Sequence, residues 1–134
     1  MAELLIVDDD ADAAEILSDV LARVGHSVRV ARDGAEALEA IRERAPDCML
    51  LDVEMPVLDG PGLAYRLVIL DCMYDKIPIV LVSGVADLHR VAERVGTPYY
   101  IGKPCHLDDV LILLERALRE RQPPAPRART ERSR

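Results

Sequence analysis

Strand-length apolar runs alternate with helix-period segments almost from end to end of this chain, and few folds accommodate that alternation. The runs fall near 3–7, 27–31, 47–52, 77–82 and 98–102, and the helical segments near 11–24, 34–44, 61–72, 86–95 and 106–121. Five such βα units predict an α/β domain, a doubly wound parallel sheet with helices on both faces. A chain of 134 residues is long enough for one such domain with a real hydrophobic core.

The helical segments carry apolar stripes and local stop signals. Ile16, Leu17, Val20, Leu21 and Val24 share one face of the first, and Gly25 follows at the C′ position. Leu88, Val91, Ala92 and Val95 repeat at helical spacing in the fourth, with Gly96 as the stop. Leu107, Val110, Leu111, Leu114 and Leu118 line the fifth. Asp33-Gly34 opens the second, and Asp108-Asp109 sit in the first turn of the fifth, where the helix dipole favours acids. Leu67-Val68-Ile69-Leu70 and Leu111-Ile112-Leu113-Leu114 are apolar beyond one stripe. A wide core stripe and a contact surface both account for them, Ile112 and Leu113 being candidates for the second.

Runs 3–7, 47–52 and 77–82 are apolar on both faces, as central parallel strands are, whereas Ser27-Val28-Arg29-Val30-Ala31 alternates as an edge strand does. The alternating run is also the one with no chemical group at its tip. Both facts suit the strand order 2-1-3-4-5, with a crevice between strands 1 and 3.

Four Tyr and no Phe or Trp leave the core to Leu, Val, Ile and Ala, and provide no stacking platform for single-stranded nucleic acid. The net charge is −7; residues 122–134 hold four Arg against one Glu, so the rest of the chain stands near −10. An acidic body argues against direct nucleic-acid binding. Two regions follow: a folded domain over 1–121 and a Pro/Arg-rich basic tail over 122–134 that has nothing to bury and is expected to be disordered. Cys48, Cys72 and Cys105 are odd in number and lack metal-ligand spacing, which suits reduced thiols in the cytoplasm. Met1-Ala2-Glu3 runs straight into the first strand, so no signal peptide is expected, and no apolar stretch is long enough to span a membrane.

The chemistry sits where the apolar runs end. Leu4-Leu5-Ile6-Val7 runs into Asp8-Asp9-Asp10, Cys48-Met49-Leu50-Leu51 into Asp52, Ile79-Val80-Leu81-Val82 into Ser83, and Tyr99-Tyr100-Ile101-Gly102 into Lys103-Pro104. Carboxylates gathered in one crevice repel unless a cation intervenes, and Mg²⁺ suits one or two carboxylates plus a phosphate. Asp8, Asp9 and Asp52, with a backbone carbonyl just past Asp52, could hold one. A carboxylate beside Mg²⁺ can also attack phosphorus, and the Lys103 ammonium and Ser83 hydroxyl could each hold a phosphoryl oxygen. Singly, each residue has a plainer role: Asp8, Asp9 or, better placed, Asp10 could cap the first helix, and Lys103 could be a surface lysine.

Taken together, Leu5-Ile6-Val7-Asp8-Asp9-Asp10, Ala31-Arg32-Asp33-Gly34 with Ala37-Leu38, Pro46-Asp47, Asp52 with Met55-Pro56 and Asp59-Gly60, Ile77-Pro78 with Ser83, and Lys103-Pro104 resemble the receiver domain of two-component response regulators. The resemblance covers about 3–121 and is closest in layout to the stand-alone, chemotaxis-regulator-like receivers. It implies a flavodoxin-like fold in the 2-1-3-4-5 order, a known property of that family. It implies Asp52 as phosphoacceptor, Asp8, Asp9 and Asp52 with the Glu54 backbone carbonyl as Mg²⁺ ligands, and Ser83 and Lys103 as phosphoryl partners. It places Ser83 and Tyr100 as the switch pair, with a cis bond between Lys103 and Pro104. Tyr99 is read as an amphipathic strand residue with a wet hydroxyl. The implied partners are a histidine kinase or histidine phosphotransfer protein upstream, and a downstream protein or second copy on the face of helix 4, strand 5 and helix 5. Gly84 for the commoner Ala, and Cys105 for a bulky residue, depart from the family pattern.

Self-phosphorylation and self-dephosphorylation at Asp52 are then the only chemistry expected, not turnover of a substrate. Two other readings stand beside it. One is a receiver fragment of a larger regulator or hybrid kinase, with 122–134 as linker. The other is a Mg²⁺-dependent phosphohydrolase with an aspartyl nucleophile, disfavoured because Asp52-Val53-Glu54 does not match the Asp-x-Asp start of the haloacid-dehalogenase-like group.

Overall fold

The structure, a computed structural model, describes residues 1–52 and 63–126. Glu54, Met55-Pro56, Asp59-Gly60 and 127–134 lie outside the described residues. Ten elements alternate: β1 (Glu3–Val7), α1 (Ala11–Arg23), β2 (Ser27–Ala31), α2 (Gly34–Glu43), β3 (Cys48–Leu51), α3 (Leu63–Tyr74), β4 (Ile79–Ser83), α4 (Leu88–Val95), β5 (Tyr99–Gly102) and α5 (Leu107–Glu120). The strands form one parallel sheet in the order β2-β1-β3-β4-β5. The flavodoxin-like topology is therefore as expected, with the alternating β2 at the edge.

Side chains alternate across a strand, so each apolar run feeds two cores. Leu5, Val7, Met49, Leu51, Ile79 and Leu81 pack with residues of α2, α3 and α4. Leu4, Ile6, Cys48, Leu50, Val80 and Val82 pack with residues of α1 and α5. β1, β3 and β4 are buried apart from the partly exposed Glu3. Burying one such Leu or Val contributes about 1.5–3 kcal/mol, which is why runs apolar on both faces become the centre of the sheet. Burial also pushes the Cys48 thiol up to about 12 and the Cys72 thiol higher still, so neither is a reactive thiol.

The caps are local. Asp10 accepts from the Asp12 and Ala13 N–H groups at the start of α1, and Asp33 from the Glu36 N–H at the start of α2. Gly96 ends α4 in the left-handed region at φ 81°. The stripes hold less uniformly. α1 buries Ala14 and Leu21, while Ile16 and Val24 are exposed. Ile16 precedes Leu21 by five residues, about 140° round the helix, which turns it off the buried face. In α5 the buried residues are Val110, Leu114 and Ala117; Leu113 packs partly against the core, and Ile112 is exposed. In α3, Val68 and Ile69 are buried, and Leu67 and Leu70 are exposed.

The chain after α5 meets the domain again. Arg121 turns it at φ 53°, the Gln122 N–H donates to the Tyr99 hydroxyl (3.4 Å), and the Ala125 N–H donates to the Gly96 carbonyl (2.9 Å). Pro124 between them is buried. The expected disordered tail thus has a docked beginning at 122–126.

Candidate functional site

Register assembles the site. Val7 of β1 lies beside Leu51 of β3, so the next residues, Asp8 and Asp52, leave the sheet side by side. Their backbones stay anchored: the Asp8 N–H donates to the Ala31 carbonyl (3.0 Å) and the Asp52 N–H to the Val7 carbonyl (2.9 Å). Ser83 of β4 lies opposite Gly102 of β5, and the Lys103 N–H donates to the Ser83 carbonyl (2.9 Å). Four strand ends thus deliver two acids, a hydroxyl and an amine to one rim of the sheet, the rim where ligands bind in open α/β folds.

Asp8 and Asp52 are buried, with relative exposures of 6% and 8%. The Lys103 ammonium bridges them, 2.5 Å from Asp52 Oδ2 and 3.6 Å from Asp8 Oδ2. Burial raises the pKa of Asp8. The Asp10 N–H (2.9 Å from Asp8 Oδ1) pulls it down, Asp52 pushes it up, Lys103 pulls it down, and the net direction is up. Burial lowers the Lys103 pKa, but Asp52 and then Asp8 raise it further, so the amine stays a cation. Ser83 is fully buried, and its Oγ accepts from the Val85 N–H (3.4 Å). The peptide bond from Lys103 to Pro104 is cis, as expected.

Asp52 Oδ1 is buried without a hydrogen-bond partner among the described residues. A buried carboxylate oxygen with no donor is costly, and a hard cation beside Asp8 would satisfy it. The donor set therefore fits Mg²⁺. Asp9 is exposed, and among the described residues no three acidic, His or Cys side chains gather closely enough to hold a metal. Asp8 and Asp52 are thus brought together, Asp9 is not brought into their cluster, and Glu54 lies outside the described residues.

Neighbouring strand residues point to opposite faces, and here the two tyrosines part. Tyr100 is exposed, its ring edge-on to His89 with centroids 6.3 Å apart. Tyr99 is fully buried, which corrects the expectation of a wet hydroxyl. Its hydroxyl donates to Glu120 Oε1 (3.0 Å), and the Arg116 guanidinium lies over its ring. These partners are on α5, too distant in sequence for local pattern to pair them. Neither the ring contact of His89 with Tyr100 nor the bonds of Asp47 have a local sequence signal. Asp47 ties β1 to β3 by accepting the Glu3 N–H (2.7 Å), and it accepts from Arg121 (3.2 Å). These bonds, the Glu3 one first, hold its carboxyl below the usual range.

Beside Asp52 and Lys103 a groove of about 520 Å³ opens between α1 and the start of α5. Its outer wall is Ala13, Ile16, Leu17, Pro104, Cys105 and Leu107. Ile16 thus leaves the core face of α1 for the wall of a groove next to the reactive rim. Among the described residues no helix is long and apolar enough to cross a membrane.

The chain is similar to several known proteins. The response regulator MprA of Mycobacterium sp. (strain KMS) is 36% identical over 125 residues, which cover 90% of this chain and 52% of MprA. The DNA-binding transcriptional regulator NtrC of Escherichia coli (strain K12) is 32% identical over 115 residues, 84% of this chain and 24% of NtrC. The chain thus spans about half the length of the first relative and a quarter of the second. The receiver domain of NtrX from Brucella abortus superposes with a TM-score of 0.71 at 34% identity, covering 87% of this chain and 98% of that one. A CheY-like receiver from Methanospirillum hungatei (TM-score 0.76, 24% identity, 90% of this chain and 96% of that one) shares the fold. The family profile described as response regulator receiver domain matches residues 4–115, and the chain belongs to that family.

Proposed function

We propose that this domain is a phosphorylation switch in which Asp52 accepts a phosphoryl group from a phosphohistidine of a histidine kinase or histidine phosphotransfer protein. The observation that carries this reading is the state of the Asp52 carboxylate. One oxygen is bonded to Lys103, and the other is buried and unpartnered beside Asp8. In the transfer an Asp52 oxygen forms a bond to phosphorus as the phosphorus–imidazole bond breaks, and the imidazole nitrogen leaves with the electron pair. Lys103 meets the charge on the phosphoryl oxygens, and Ser83 provides a hydroxyl to a third. Asp8 and Asp52, with Asp9 and the Glu54 backbone carbonyl as the further candidates, would hold a Mg²⁺, which would supply neutralisation of phosphoryl charge. The apolar groove between α1 and α5 is the surface on which a donor helix would seat, next to the acceptor.

The signal leaves by protein contacts. Phosphate on Asp52 draws the Ser83 hydroxyl towards it, Tyr100 turns in from its exposed position, and the face of α4, β5 and α5 changes shape. The exposed Ile112 on that face is a contact point for a downstream protein or second copy. No substrate is turned over, and a cytoplasmic setting follows from a phosphohistidine donor. The test is phosphotransfer. Incubated with Mg²⁺ and acetyl phosphate, or with a phosphorylated histidine phosphotransfer domain, the protein should gain one phosphoryl group, and Asp52→Asn none. Equal labelling of Asp52→Asn would overturn the assignment.

A further inference from the structure

Residues 121–126 form a strap across the end of the sheet opposite the acceptor site. Two bonds fasten it on either side of the α4–β5 turn. The Gln122 N–H donates to the Tyr99 hydroxyl, and the Ala125 N–H donates to the Gly96 carbonyl. The seat is close-fitting: a Cβ on Gly96 would lie 2.2 Å from the Ala125 carbonyl group, and Pro124 between the two bonds is buried. Arg121 tethers the strap's start to Asp47.

The seat is built from parts of the switching face. Gly96 is the C-cap of α4, and Tyr99 is the β5 residue next to Tyr100. Because the bonds land on two elements, a shift of α4 against β5 cannot preserve both. The seated strap belongs to the geometry in which Tyr100 is exposed and Lys103 is bonded to Asp52.

We infer that the strap is a relay: phosphorylation of Asp52 loosens 122–126 from the α4–β5 turn. This rests on Asp52 being the phosphoacceptor. Linkage is reciprocal, so an absent strap must favour the phosphorylated geometry.

Amide hydrogen exchange of Ala125 in the 134-residue chain, with and without Mg²⁺ and beryllofluoride, tests it. In the unmodified protein this amide should exchange at least about tenfold more slowly than an unstructured amide. Beryllofluoride should speed it threefold or more, with no response in Asp52→Ala. Ala125→Pro, which removes the donor, and Gly96→Ala, which fills the seat, should each bind beryllofluoride more tightly by the factor seen in exchange. Unprotected exchange of Ala125 in the unmodified protein would overturn the seat. Unchanged protection with beryllofluoride bound, seen by its fluorine resonance, would overturn the relay alone. Failure of beryllofluoride to bind would instead overturn the acceptor reading, and the relay with it.

Discussion

Asp8 is almost wholly buried, and burial with the adjacent Asp52 carboxylate outweighs the Asp10 N–H and Lys103 to raise its pKa. A carboxyl with a raised folded-state pKa binds its proton more tightly in the folded than in the unfolded chain. Its ionised form therefore costs stability, a cost absent at low pH that grows as pH rises from the unfolded towards the folded value and levels off above it. Asn keeps the acceptor for the Asp10 N–H but not the charge. Asp8→Asn should thus raise stability at neutral pH, with metal chelated, by on the order of 1 kcal/mol, and the gain should vanish in urea titrations carried out at acid pH. Lys103→Met should do the reverse, leaving two buried carboxylates without their cation. It is expected to lower stability by about 1–3 kcal/mol, and millimolar Mg²⁺ should recover part of the loss in the same titration. Asp8, Asp52 and Lys103 are legible from sequence because each ends an apolar run, and register does the rest. Asp9 shows the limit of that logic. It shares Asp8's position at a strand end, but a change in direction of one residue leaves it exposed and outside the cluster.

Among the elements, β5 shows how far a local pattern reaches. Its alternation separates Tyr99 from Tyr100 and leaves the hydroxyl of Tyr100 to solvent, but which tyrosine is buried depends on α5, whose Glu120 lies 21 residues away. The α1 stripe misleads for a related reason. Ile16 and Val24 are apolar, so periodicity enrols them in the core face, while a buried Ala14 suffices where helix and sheet approach closely. Thr97 has no signal of either kind. It is buried, its hydroxyl donates to the Ile79 carbonyl (2.6 Å) and accepts from the Tyr99 N–H (3.1 Å), and it closes the starts of β4 and β5 together. Thr97→Val preserves the shape and strands both backbone groups. A loss of about 1–3 kcal/mol is expected from chemical denaturation, with early exchange of the Tyr99 amide. An unchanged midpoint would mean that water replaces the hydroxyl.

At the scale of the whole molecule, five βα units converge four strand ends on one rim and send the chain's last described residues to the opposite one. Alternation alone makes the architecture legible, because a parallel sheet needs a crossover for every strand. Long-range placements such as the strap's seat on Gly96 are not legible, because Gly96 already has a sufficient local reason as the C-cap of α4. The acidic body argues against direct nucleic-acid binding. We propose that Asp52 carries the phosphoryl group as an acyl phosphate. Borohydride reduces an aspartyl phosphate to homoserine, so the protein can be treated with acetyl phosphate and Mg²⁺, reduced, digested and sequenced by mass spectrometry. Homoserine at position 52, dependent on Mg²⁺, is the result predicted; aspartate intact at 52, with homoserine at 8 or 9 or nowhere, would contradict it.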